Sequence, residues 1–350
     1  MPSNPNDIAK PIKRVALALQ GGGSHGGFTW GVLDRLLQED TLSIEAISGT
    51  SAGAMNAAAL AYGLMTDGPE GARKALHDFW RNVARTGESI FNPYYYLDSQ
   101  FLRGRPRDPW PVSAWLTMMS LVWSPYNNPF YTNALAGVLS GVIDFERLRA
   151  CQKPKLFICA TNVKTNKRKI FHTEEISQDV LLASACLPSV FRAVEVDGEA
   201  YWDGGYMGNP VLSPLLRHST DVVIVDVSPM RRPAVPTSAR DIADRLNEIT
   251  FNSSLIHEIN TVNTITTLIE NGDLASTTYR PIHFHHISAE QEMSLLGPGS
   301  KSDTSWAFLV ALRDLGIKTA EEWLRDPNQF GKVGTESSVD VANDLLGALY

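Results

Sequence analysis

The chain is 350 residues long, 43% hydrophobic and 20% charged, with a formal net charge of −7. That much apolar mass can bury a substantial core, as one large α/β domain or two smaller ones, and it excludes a disordered chain. The acidic balance, with no dense run of Lys and Arg, argues against a nucleic-acid partner.

Cys151, Cys159 and Cys186 are odd in number and lack metal-ligand spacing, which reads as reduced, buried thiols of a cytosolic chain. The polar start, MPSNPNDIAKPIKR, has no apolar core of the kind a signal peptide needs. The longest uncharged stretch, 109–143, is broken by Pro109, Pro111, Pro125 and Pro129. Its densest apolar piece, VSAWLTMMSLVW at 112–123, falls short of the ~20 residues that span a bilayer. The expected location is cytoplasmic, with peripheral membrane contact at most.

In chain order, RVALALQ (14–20) is a short apolar run ending in glycine, the pattern of a buried parallel strand. GGGSHGGFTW (21–30) follows, with five glycines in ten residues. Glycine is costly to order, so this loop uses its backbone directly, either to cradle a phosphate or to stabilise charge in a reaction. GFTWGVLDRLLQED (27–40) puts Trp30, Leu33, Leu36 and Leu37 at helical spacing. IEAIS (44–48) is a second strand, and AGAMNAAALAYGL (52–64) a second helix. Helix continues over 73–83, with Leu76, Phe79, Trp80 and Val83 on one face.

Residues 91–131 hold 11 of the 31 aromatics. Within them Val112, Trp115, Leu116, Met119, Val122 and Trp123 fall near one helical face. Such a stretch suits a lid or acyl-chain groove that also meets a lipid interface, or a packed hydrophobic subdomain. KLFICATNV (155–163), KRKIFHT (167–173) and DVVIVDVS (221–228) read as further strands, with QDVLLASACL (178–187) a helix stopped by Pro188. Residues 238–270 read as one long helix or two shorter ones, IHFHHIS (282–288) as a last strand, and 305–324 as a helical hairpin. Strands alternating with helices give an α/β chain with helices on both faces of a sheet.

Gly49-Thr50-Ser51-Ala52-Gly53 is a G-x-S-x-G between a predicted strand and a predicted helix, the setting of a nucleophile elbow. The following helix aims its N-terminal amides at the serine. A serine needs a base. His172, His218, His257, His283, His285 and His286 are downstream, but none sits in a catalytic-loop motif. Asp203, in Tyr201-Trp-Asp-Gly-Gly-Tyr206, does have a marked setting, although an Asp-Gly turn alone would produce it. His283, His285 and His286 have no obvious acidic or cysteine partner and read as structural rather than metal-binding. No calcium loop is visible.

Taken together, GGGSHG after the first strand, GTSAG after the second and DGG about 150 residues later resemble the patatin-like phospholipase family over 14–216. The segment Ala183-Ser-Ala-Cys-Leu-Pro-Ser-Val-Phe191 is similar to the small-residue helix and proline stretch that the family carries before its aspartate. The resemblance implies a three-layer α/β/α fold with a mainly parallel central sheet. It implies a catalytic domain over 14–216 with a lid-like, aromatic-rich insertion at about 91–143. Residues 217–350 would add a last core strand and a helical region packed on that domain.

It implies Ser51 as nucleophile and Asp203 as general base, without a histidine. Gly22, Gly23 and Ser24 would offer amides to an oxyanion, supported by Gly21, Gly26, Gly49, Gly53, Gly204 and Gly205. Partial burial beside Trp202 would raise the Asp203 pKa towards neutrality. The implied activity is lipid acyl-ester hydrolysis, phospholipase A- or lysophospholipase-like, through an acyl-enzyme. Alternatives are a Ser-His-Asp carboxylesterase on other esters, or a phosphate-binding protein using the glycine loop. No metal or cofactor is expected. The expected partners are a lipid or phospholipid and a membrane surface met through 91–131, and no sequence feature sets an oligomeric state. One departure stands out: the family commonly has Arg or Lys where this chain has His25, so a permanent charge there is replaced by a titratable ring.

Overall fold

The structure, a computed structural model, describes residues 11–87, 125–127, 132–232, 234–275, 279–297 and 299–335. The first apolar run forms β1 (Lys13–Leu19), the glycine loop leads into α1 (Gly26–Leu36), and β2 (Leu42–Gly49) runs into α2 (Ala52–Thr86). After α3 (Ala134–Ser140) and α4 (Phe145–Arg149) come β3 (Lys155–Asn162), β4 (Lys167–His172) and α5 (Gln178–Ser184). The hairpin β5 (Val194–Val196) and β6 (Glu199–Asp203) precedes β7 (Asp221–Val225). The remainder is α6 (Ala239–Glu270), β8 (His283–Ile287), α7 (Glu290–Ser294) and α8 (Trp306–Arg325).

All eight strands form one sheet, ordered β5-β6-β3-β2-β1-β7-β8, with β4 also paired to β3. The pairs β1–β2, β1–β7, β2–β3 and β7–β8 are parallel, and the three pairings within β3–β6 are antiparallel. Alternation along β1 assigns its two faces. Val15, Leu17 and Leu19 join a core with α1, α2, α5 and α8. Ala16 and Ala18 join the opposite core with Val222, Ile224, and Leu255 and Ile259 of α6. The result is the expected three-layer α/β/α arrangement.

Three local features differ from the sequence expectation or resolve it. The 238–270 stretch is one 32-residue helix, started by Ser238 Oγ accepting the Asp241 amide at 3.1 Å. The expected hairpin at 305–324 is one straight helix, α8. Its Gly316 is no turn: a Cβ there would stand 2.1 Å from Phe28 O of α1, so the glycine permits a close helix crossing. The β5–β6 hairpin was not anticipated. Its two turn residues, Asp197 (φ 52°) and Gly198 (φ 79°), form the Asp-Gly turn that matches strand twist. Helix α2 breaks at Asp67–Gly68, ahead of Pro69, into the two helical stretches expected. Of the aromatic-rich 91–143 stretch, only 125–127 and 132–143 are described, so the 112–123 stripe lies outside the described residues.

Candidate active site

Between Gly49 and Ala52 only Thr50 and Ser51 turn the chain from β2 into α2. Ser51 adopts φ 54° and ψ −122°, a backbone conformation costly for any residue with a Cβ. The turn closes because its flanks are glycines: a Cβ on Gly53 would stand 2.1 Å from Leu19 O, and one on Gly49 would stand 2.6 Å from Gly53 O. The Ser51 amide donates to Ser184 Oγ at 2.9 Å. Thr50 Oγ1 donates to Gly208 O at 2.7 Å, joining this turn to the loop after Asp203.

Sheet register explains why Asp203 meets this turn from 152 residues away in sequence. β3 carries β4 along one edge, from Phe157 to Asn162. On the other edge β2 runs parallel and stops with Gly49 opposite Ile158, while antiparallel β6 stops with Asp203 opposite Ala160. Two residues of β3 separate the strand ends, roughly 7 Å. The serine turn beyond Gly49 and the Asp203 carboxyl therefore converge head to head.

Asp203 is wholly buried. Its Oδ1 accepts the Gly205 amide at 2.7 Å, while Oδ2 has no hydrogen-bond partner among the described residues. Burial pushes the carboxyl up to about 7, against the lowering pull of the Gly205 amide and the Ser51 side chain. Ser51 thus lies close enough to favour the carboxylate, although no hydrogen bond of ordinary geometry joins the two. The burial does not come from Trp202 as expected. Strand alternation puts the Trp202 and Asp203 side chains on opposite faces. Phe251 of α6 closes over the turn instead, 2.1 Å from where a Gly205 Cβ would be. A Gly204 Cβ would stand 2.2 Å from Cys159 O.

The glycine loop lies against both turns. A Gly21 Cβ would meet Thr50 O at 2.6 Å and Ser51 Cβ at 2.7 Å. The Gly21 amide is held by Asn209 Oδ1 at 2.7 Å. Among the described residues no acceptor takes the amides of Gly22, Gly23 or Ser24. Gly23, at φ 59°, begins a short 3-10 turn over Gly23–His25 that leads into Gly26 and α1. Gly26 sits where a Cβ would meet Ala52 Cβ at 2.8 Å, so α1 and α2 start side by side.

His25 is 3% exposed. Its Nδ1 donates to Val227 O at 3.3 Å, and Nε2 pairs with Ser300 Oγ at 2.8 Å. Burial, then the nearby Lys301 charge, lowers its pKa to about 4. A neutral, packed ring therefore replaces the cation the family commonly carries.

Buried polar residues outside the three short motifs hold the site in place. Buried Gln20 accepts the Val227 and Ser228 amides, both at 2.8 Å, and donates to Asn252 Oδ1 at 2.7 Å. Ser184, Asn209 and Cys186 O, which accepts the Asp203 amide at 2.8 Å, complete the frame. The three cysteines are free and buried. His285 and His286 do have acidic partners, contrary to the sequence reading: Asp221 Oδ1 at 2.9 Å and Asp226 Oδ2 respectively. Neighbouring strand register creates both pairs. Arg232 is taken up by Glu248 and Asp244. All eight histidines lie among the described residues, and none hydrogen-bonds Ser51 or Asp203. Among the described residues no cluster could hold a metal ion, and no helix is long and apolar enough to cross a membrane.

Fold and site define an α/β/α protein with a serine on a strained strand-to-helix turn beside a buried carboxyl. The sequence model of the patatin-like phospholipase family matches residues 17–216, more than half of the chain, and the chain belongs to that family. YjjU, an uncharacterized protein of Escherichia coli K12, is 27% identical over 194 residues, 55% of this chain and 45% of YjjU. The chain thus spans less than half the length of that relative. VipD from Legionella pneumophila is 16% identical, covers 87% of this chain and 67% of its own, and has a TM-score of 0.37. The ExoU–SpcU complex from Pseudomonas aeruginosa is 19% identical, at coverages of 70% and 51% and a TM-score of 0.32. The family assignment rests on the sequence match and not on these distant structures.

Proposed function

We propose that the chain is a lipid acyl hydrolase, phospholipase A- or lysophospholipase-like, that cleaves carboxylic esters through Ser51 and Asp203. The observation that carries this reading is the buried Asp203, its pKa near 7, facing a serine on a strained turn. A base poised near the working pH is both sufficiently ionised and sufficiently basic. Membership of the patatin-like phospholipase family supports the lipid ester as substrate.

In the reaction, Asp203 takes the Ser51 hydroxyl proton as Oγ attacks the ester carbonyl carbon. The tetrahedral oxyanion is received by the free amides of Gly22, Gly23 and Ser24, and one such donor is worth on the order of 3 kcal/mol. Protonated Asp203 then gives its proton to the departing alcohol oxygen as the C–O bond breaks, leaving acyl-Ser51. Water attacks the acyl carbon, Asp203 takes its proton, and that proton returns to Ser51 Oγ as the fatty acid leaves. The absence of any histidine bond to Ser51 or Asp203 favours this two-residue scheme over a Ser-His-Asp triad. The same reading includes peripheral membrane contact through the aromatic-rich 91–131 stretch.

Hydrolysis of a chromogenic acyl ester tests the proposal. Ser51→Ala and Asp203→Asn are expected to lose at least about 10³-fold in kcat, with each histidine-to-alanine variant active. Retained activity in Ser51→Ala, or its loss in a folded histidine variant, contradicts it.

A further inference from the structure

Three residues at the end of α5, Ser184-Ala185-Cys186, touch both members of the proposed pair. Ser184 Oγ accepts the Ser51 amide at 2.9 Å, and Cys186 O accepts the Asp203 amide at 2.8 Å. Ser184 is wholly buried, and its hydroxyl is the one acceptor the Ser51 amide has among the described residues. That amide belongs to the strained residue itself, at φ 54°. The Ser51 amide precedes α2 and has no backbone acceptor among the described residues. Strained backbone persists only where its surroundings over-determine it.

From this we infer that Ser184 is a positioning residue for the reaction proposed above. Its hydroxyl fixes the strained Ser51 conformation, and the Cys186 carbonyl anchors Asp203 from the same short segment, so one rigid turn sets the nucleophile-to-base separation. Ser184 touches neither substrate nor reacting atom, and acts through the Ser51 backbone.

The inference rests on the proposed function, and the experiments separate the two. Hydrogen exchange of the peptide over 49–55 in the wild-type chain reads the Ser51 amide without turnover. It is expected to be protected, and exchange as fast as an exposed loop overturns the inference whatever the activity. Ser184→Ala should speed that exchange, lower kcat about 10- to 100-fold with KM unchanged, and slow fluorophosphonate labelling of Ser51 by the same factor. Ser184→Thr keeps the acceptor oxygen and should restore both most of kcat and the protection. A folded Ser184→Ala variant with wild-type kcat and exchange overturns the positioning role and leaves the proposed function standing. A wild-type chain that neither hydrolyses esters nor labels at Ser51 overturns the proposed function and this inference with it.

Discussion

Asp203 ionises at a cost. Its folded pKa, about 7, lies above the ordinary 3.8, so the folded chain binds this proton more tightly than the unfolded one. The associated stability is full below 3.8 and is lost as pH rises through about 7, roughly 4 kcal/mol in all. Asp203→Asn should therefore melt at a higher temperature than wild type at pH 8 while losing hydrolysis, and a lower melting temperature would contradict the burial argument. His25 has the opposite slope: its pKa is lowered to about 4, so it withdraws stability as pH falls from 6.5 towards 4. Placing the family's Arg at position 25 buries a fixed charge beside Lys301. His25→Arg should destabilise by at least about 2 kcal/mol in denaturant titration.

Ser51, Asp203 and the glycine loop were legible because each stands in a short local motif. The bonds that Ser184 and Asn209 make were not, since their partners lie 133 and 188 residues away. The same holds for the His285–Asp221 pair, which only β7–β8 register creates.

At the scale of elements, periodicity identified β1, β3 and β7, whose near-continuous apolar runs mark burial on both faces, and the shorter, half-buried β2. The same reasoning split α8, read as a helical hairpin, where Gly316 lies in one helix and permits contact with α1. Conversely, the β5–β6 hairpin turned at Asp197-Gly198 was not anticipated, and its β5 is only three residues long. The α1–α8 crossing is tight from both sides: a Cβ on Gly31 would stand 1.9 Å from Arg313 O, and one on Gly316 2.1 Å from Phe28 O. Both obstacles are backbone. Gly316→Ala is expected to cost about 2–3 kcal/mol by overpacking and, because α1 starts at the glycine loop, to lower kcat as well. An unchanged melting temperature would show that the crossing can give.

At the scale of the molecule, the family match ends at residue 216, but the sheet does not. β7 pairs with β1 through Ala16–Leu19, and α6 covers the face that presents Ala16 and Ala18. Later segments also brace the glycine loop: Ser300 bonds His25, and Lys301 O lies 2.4 Å from where a Gly23 Cβ would be. Lys13 Nζ donates to Val333 O at 2.5 Å, tying β1 to the residues after α8. We therefore propose that 14–216 is a catalytic unit only with its C-terminal partner in place. A chain ended after residue 216 should give no cooperative melt by circular dichroism, and a folded, active fragment would refute this.

Central to all three scales is the proposal that Ser51 is activated by a carboxyl alone. The rate of fluorophosphonate labelling at Ser51, measured against pH, tests this most directly. In wild type and in every histidine-to-alanine variant it should rise with an inflection near 7, and in Asp203→Asn both the rise and most of the rate should vanish. A pH-independent rate, or an inflection that disappears with one histidine, would contradict it.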